Sequence, residues 1–82
     1  MAQRPRQISA AVARLLHQER LDRDISIARV AKAAGLSEQM VRYVEREMRN
    51  PTLDTFLRIA QALDVDLWKL IRRASVATGH KK

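Results

Sequence analysis

Cysteine is absent from the 82-residue chain, so neither a disulfide nor a thiolate metal site can hold it together. That composition suits a reducing compartment. Histidine is nearly absent: His17 and His80 lie far apart without a carboxylate set beside them, and no metal is expected. No apolar run approaches the roughly 20 residues that span a bilayer, and the opening MAQRPRQ lacks the apolar core of a signal peptide. A cytoplasmic protein without membrane contact is expected. Also missing are a Ser-His-Asp set, a glycine-rich phosphate loop and a zincin motif, so the chain reads as a non-enzyme without cofactors. The carboxylate pairs Asp22/Asp24 and Asp64/Asp66 fall at helix ends, where turn and capping chemistry accounts for them.

Acidic residues are missing from both ends. Residues 1–18 carry Arg4, Arg6 and Arg14 with no acid; residues 67–82 carry Lys69, Arg72, Arg73, Lys81 and Lys82 with none. The middle is close to neutral, so the formal charge of +7 sits at the termini. A polyanion such as nucleic acid is a natural partner for such ends, although charge alone also serves solubility. Arginine outnumbers lysine, 12 to 4, and the guanidinium fork binds phosphates and base edges bidentately.

What is present is helical periodicity in every segment. Ile8, Ala11, Val12, Leu15 and Leu16 form one apolar stripe, predicting a first helix over about residues 6–20. Ile27, Val30, Ala31 and Ala34 repeat the spacing in a second, opened by Ser26 as N-cap and closed by Gly35. Ser37 caps a third, with Leu36 and Val41 placed as a hydrophobic staple. The Asn50-Pro51 step ends that region. Thr52 then caps a fourth, with Leu53, Phe56, Leu57, Ala60 and Leu63 expected inward. Asp66 caps a fifth, with Leu67, Leu70, Ile71 and Ala74 on its core stripe. The expected fold is all-α, a compact five-helix domain over residues 7–74, with a basic N-terminal arm (1–6) and a frayed basic tail (75–82). The short turn at Gly35 and Leu36 makes helices two and three a helix-turn-helix.

The third helix divides in two. At about 100° per residue, Val41, Val44 and Met48 share a narrow arc that must face the core. Glu38, Gln39, Arg42, Tyr43 and Arg46 share the opposite arc. An α-helix fits the major groove of B-DNA, where Gln pairs with adenine, Arg with guanine, and Glu accepts from cytosine. An ordinary solvated face is the alternative that polarity leaves open.

The span ISIARVAKAAGLSEQMVRYVEREMRNPTLDTFLRIAQALDVDLWKLI resembles the Cro/repressor (Xre) class of helix-turn-helix proteins. Val30-Ala31 before Gly35-Leu36-Ser37, then Val44-Glu45-Arg46, Arg49-Asn50-Pro51-Thr52-Leu53 and Ala60-Gln61-Ala62-Leu63 carry the likeness. The resemblance implies a lambda-repressor-like fold and a sequence-specific transcriptional regulator that binds double-stranded DNA. Glu38, Gln39, Arg42 and Tyr43 would then read base edges. Ser26, Ile27, Ser37, Arg46, Arg49 and Asn50 would meet phosphates, partly through backbone amides at helix N-termini. Arg20 and Glu45 match a family ion pair that fixes the reading helix. Two positions depart from the pattern: Ile27 stands where the family commonly has glutamine, and Glu47 where it commonly has glycine. Glutamate disfavours positive φ, so the third helix is expected to run on towards Met48.

Two features lie outside that helix. Arg4 and Arg6, held extended by Pro5, could reach a groove or phosphates as an arm. Trp68 sits beside the core stripe of the fifth helix, and an exposed tryptophan on a small domain marks an interface. The resemblance implies a homodimer through this end, with Leu67, Trp68 and Ile71 in the contact, acting by occupancy of a palindromic operator. An antitoxin-like protein-interaction module is the rival reading.

Overall fold

The computed structural model describes residues 3–48 and 50–78, with side chains from Pro5 onward. Arg49 and the tail residues His80, Lys81 and Lys82 lie outside the described residues, as does the side chain of Arg4. Five helices follow one another: α1 (Gln3–Asp22), α2 (Ile27–Ala34), α3 (Glu38–Glu45), α4 (Leu53–Ala62) and α5 (Leu67–Ala77). No strand occurs among the described residues. Three N-terminal caps work through side-chain oxygens. Ser26 accepts from the Arg29 amide at 3.1 Å, Ser37 from Met40 at 3.0 Å and Thr52 from Thr55 at 3.1 Å. Each satisfies one amide that the helix leaves unpaired. Asp66 occupies the N-cap position of α5, but its side chain makes no capping hydrogen bond.

Helices α1 to α4 end in one device, the paired Schellman hydrogen bonds. After α2 the Leu36 amide donates to Ala31 O at 2.9 Å and Gly35 to Lys32 O at 3.3 Å. After α3 the Met48 amide donates to Tyr43 O at 2.9 Å and Glu47 to Val44 O at 3.0 Å. Only the α2 turn uses glycine at the left-handed residue; Asp24, Glu47 and Asp64 take positive φ elsewhere, with Glu47 at 58°. The expected continuation of α3 towards Met48 is therefore wrong. The Schellman bonds and an ion pair from Arg14 Nη1 to Glu47 Oε1 at 3.0 Å hold Glu47 in a conformation that costs about 1 kcal/mol. With α3 stopped at Glu45, Met48 leaves the buried arc and is 63% exposed.

Other expectations shift at the ends and on α4. α1 begins at Gln3, so residues 3–6 are helical rather than an extended arm. Pro5 falls in the first turn, where amides have no intrahelical acceptor and its fixed φ suits the helix. α5 continues to Ala77, so residues 75–77 are helical rather than frayed. On α4 the buried stripe is Phe56, Ile59, Ala60 and Leu63, leaving Leu53 and Leu57 exposed, and Ile71 on α5 is also exposed. The core joins Val12 and Leu16 of α1 to Val30, Val41, Val44, Phe56, Ile59, Leu67 and Leu70.

α3 packs on α1 and α2, and α5 on α1 and α4. The α1–α3 junction contains the buried carboxylate of Glu45. Arg20 Nε donates to Glu45 Oε2 at 2.7 Å and Nη2 donates to Oε1 at 3.0 Å. Arg20 Nη1 donates to Ile25 O at 2.8 Å, so the same fork also ties the α1–α2 loop. His17 Nε2 lies 3.6 Å from Glu45 Oε1.

Four outcomes are expected in thermal melts followed by circular dichroism. Glu45→Gln, which strips the charge from a buried pair, lowers stability by about 3 kcal/mol, roughly 12–24 °C for a domain of this size. Arg20→Met combined with Glu45→Leu recovers most of that loss, because no buried charge is left unpaired. Glu47→Gly raises stability by about 0.5 kcal/mol, relief of the left-handed strain outweighing an exposed ion pair, whereas Gly35→Ala lowers it by about 1 kcal/mol.

Candidate nucleic-acid interface

The turn between α2 and α3 is built to be short. Gly35 has φ 70°, and a Cβ there would meet Arg58 Nη1 at 3.2 Å. That same Nη1 donates to the carbonyl of Ala34 at 3.3 Å, while Arg58 Nε donates to Asp54 Oδ2 at 2.7 Å. An arginine from α4 thus caps the end of α2 and supports the turn that sets the direction of α3. Reading for helix 3 alone overlooks Arg58; the traces it leaves in sequence are the i, i+4 spacing from Asp54 and a residue without a side chain at 35.

On α3, Val41 and Val44 are fully buried, and Leu36 and Met40 pack against the same core. Glu38, Gln39, Arg42 and Arg46 are exposed on the other side, with Tyr43 half-buried among them. The ridge is internally ordered by two i, i+4 contacts. The Gln39 amide nitrogen donates to the Tyr43 hydroxyl, and Arg42 Nη2 donates to Glu38 Oε1 at 3.3 Å. Neither contact uses up the groups concerned. Gln39 keeps its carbonyl oxygen and a second N–H, and Arg42 keeps the other edge of its guanidinium. Glu38 stands in the first turn, where negative charge is favoured by the helix dipole.

Around this ridge, Ser26, Ser37 and Asn50 are exposed, and Ile27 is half-buried against the core. The serine oxygens are engaged as caps, so the first amides of α2 and α3 are left pointing outward without intrahelical acceptors. Arg29 and Lys32 project from α2 on the side opposite its buried Val30, Ala31 and Ala34; they extend the cationic surface beyond the residues singled out from sequence. Their i, i+3 spacing on the polar side of α2 was the available signal.

The basic and aromatic features outside the helix-turn-helix are placed differently. Arg6 is exposed on helical backbone, not on an arm. Leu67 is 5% exposed and belongs to the core, which removes it from the expected dimer contact. Trp68 is 56% exposed and lines an open groove on α5 with Ile71, Ser75 and Val76; Arg72 lies over its ring at 5.4 Å. Among the described residues no helix is long and apolar enough to cross a membrane, and no cluster of side chains is arranged to hold a metal ion.

Comparison with known proteins agrees with this geometry. A helix-turn-helix family model matches residues 16–67, more than half of the chain and the span that contains α2, the Gly35 turn and α3. Neither curated proteins nor solved structures yield a match. With an ordered polar ridge on α3, its valine anchor and the family match in hand, the chain belongs to the Xre/lambda-repressor type of helix-turn-helix DNA-binding regulators.

Proposed function

We propose that the protein is a sequence-specific transcriptional regulator whose α3 lies in the major groove and reads base edges through Glu38, Gln39, Arg42 and Tyr43. One observation carries the reading: the two hydrogen-bonded pairs on the exposed face of α3, Gln39–Tyr43 and Glu38–Arg42, anchored from behind by buried Val41 and Val44. With the Gln39 amide steadied by Tyr43, its remaining N–H and carbonyl match adenine N7 and N6; the free edge of Arg42 matches guanine N7 and O6. Glu38 at the front of the helix repels phosphate, which is useful for selection and costly for a non-specific coat.

Phosphate contacts would come from Ser37, from the opening amides of α3, from those of α2 at Ser26 and Ile27, and from Arg46, Arg49 and Asn50. These set register on the duplex without specifying sequence. The exposed face of α5 supports a homodimer through Trp68 and Ile71. A twofold arrangement would set two copies of α3 about 34 Å apart, one helical turn of DNA, and favour a palindromic operator at which occupancy represses or recruits.

Selection of bound sites from random duplexes is expected to recover a palindrome; recovery of unrelated sequences would end the claim of specificity. On the recovered site, Arg42→Ala weakens binding by about 1–3 kcal/mol and relaxes preference at one base pair. Arg46→Ala weakens all duplexes alike and lowers the slope of log affinity against log salt by about 0.9 per protomer. Sedimentation of the wild type should give a dimer and of Trp68→Ala a monomer; two monomers would dispose of the α5 interface.

A further inference from the structure

The family match begins at residue 16, so the first half of α1 lies outside it. That segment nevertheless meets the connection that follows α3. Arg6 and Ser9 of α1 line one open cleft, of about 240 Å³, with Glu47, Met48, Asn50 and Pro51 of the α3–α4 connection. Arg6 and Asn50 are exposed, and Arg6 pairs with no acid among the described residues. The acid that lines the cleft, Glu47, is occupied by Arg14 at 3.0 Å, so its charge is compensated from outside the cleft. A guanidinium, a hydroxyl and a carboxamide are left facing a small open volume walled by Met48 and Pro51. That donor set suits a phosphate oxyanion, which Arg binds bidentately.

We propose that Arg6 and Asn50, with the Ser9 hydroxyl, clasp a phosphate of the DNA backbone flanking the base pairs read by α3. The proposal rests on the DNA-binding reading given above and extends the contact surface onto α1. The cleft shares a wall with the turn that ends α3: Glu47 and Met48 donate the Schellman hydrogen bonds to α3 and also line it. Its position relative to the reading helix is therefore set by that hydrogen-bonded turn. Because Arg6 stands on formed helix, little backbone order is lost on binding, unlike an extended arm that must be immobilised. The contact carries no sequence information; it adds affinity and register.

The test compares wild type, Arg6→Ala, Arg6→Lys and Asn50→Ala on the selected duplex and on the same duplex trimmed by one helical turn at each flank. Arg6 is exposed and alanine is a good helix former, so the variant should fold, and circular dichroism verifies it. On the full duplex, Arg6→Ala is expected to bind several-fold more weakly and to lower the salt slope by about 0.9 per protomer. Arg6→Lys should retain the slope, because the charge remains, and Asn50→Ala should weaken binding without changing it. On the trimmed duplex all four proteins should bind alike, and ethylation of the flanking phosphates should interfere with wild type but not with Arg6→Ala.

An unchanged slope in Arg6→Ala, or an equal loss on both duplexes, overturns the flanking contact while leaving readout by α3 intact. Failure of the wild type to bind any duplex overturns both readings. Millimolar inorganic phosphate that shifts the Ser9 and Asn50 amide resonances, together with an unchanged slope in Arg6→Ala, would identify a free-phosphate site instead and likewise overturn the DNA contact.

Discussion

Glu45 is the buried charged residue of the core, and much of the geometry of α3 depends on how its carboxylate is satisfied. Two parallel hydrogen bonds from Arg20, at 2.7 and 3.0 Å, lock rotation and translation of α3 against α1 in a way that apolar contact between Val41, Val44 and the core cannot. Hydrophobic packing is non-directional and would tolerate a small roll of the helix. A bidentate ion pair with both partners largely desolvated tolerates little. Such a pair need not add net stability, since removing two charges from water is expensive. Its contribution here is positional: with α3 pinned at its C-terminal end by Glu45, and its N-terminal end capped by Ser37, the polar ridge between them is presented at a fixed angle.

The helix ends extend the same theme. With few glycines available, three left-handed turn residues are Asp24, Glu47 and Asp64, each accepting local strain so that a Schellman pair can close. At Glu47 the strain shapes the surface beside α3, because the turn stops α3 after eight residues and delivers the chain to Asn50 and Pro51 beside α1. Arg14 reaches across from α1 to the Glu47 carboxylate, so α1 contacts α3 at Glu45 and the turn beyond it at Glu47. Arg58 steadies the other connection, at Gly35, from α4. Both ends of α3 are thus held by arginines from different helices, leaving its outer face unobstructed.

Much of this was legible in the chain. Helix number, the three side-chain caps and the Gly35 turn follow from local rules, because a capping oxygen, a left-handed glycine and a 3.6-residue stripe act over one or two turns. The opposition of Val41 and Val44 to Glu38, Gln39 and Arg42 is equally local, a matter of angles on one short helix. The errors have a common source in choices that local rules leave nearly degenerate. On α4, leucines at 53 and 57 and an isoleucine at 59 both extend the stripe through Phe56, Ala60 and Leu63. The packing selected Ile59. Met48 fell out of the core because the turn at Glu47 interrupts the angular count, and Pro5 entered α1 because a first turn has no use for its missing N–H.

What the sequence by itself determined is the set of helices, their capped starts, and which edge of α3 is polar, since these depend on neighbours within a few residues. What only the tertiary structure decided is which of the available contacts are made across the chain: the Arg20 fork on Glu45, Arg58 behind Gly35, Leu67 withdrawn into the core while Trp68 and Ile71 stay outside, and Arg6 brought to the cleft beside Asn50. Those outcomes depend on the relative placement of helices, which competition for one small core settles and no local period encodes.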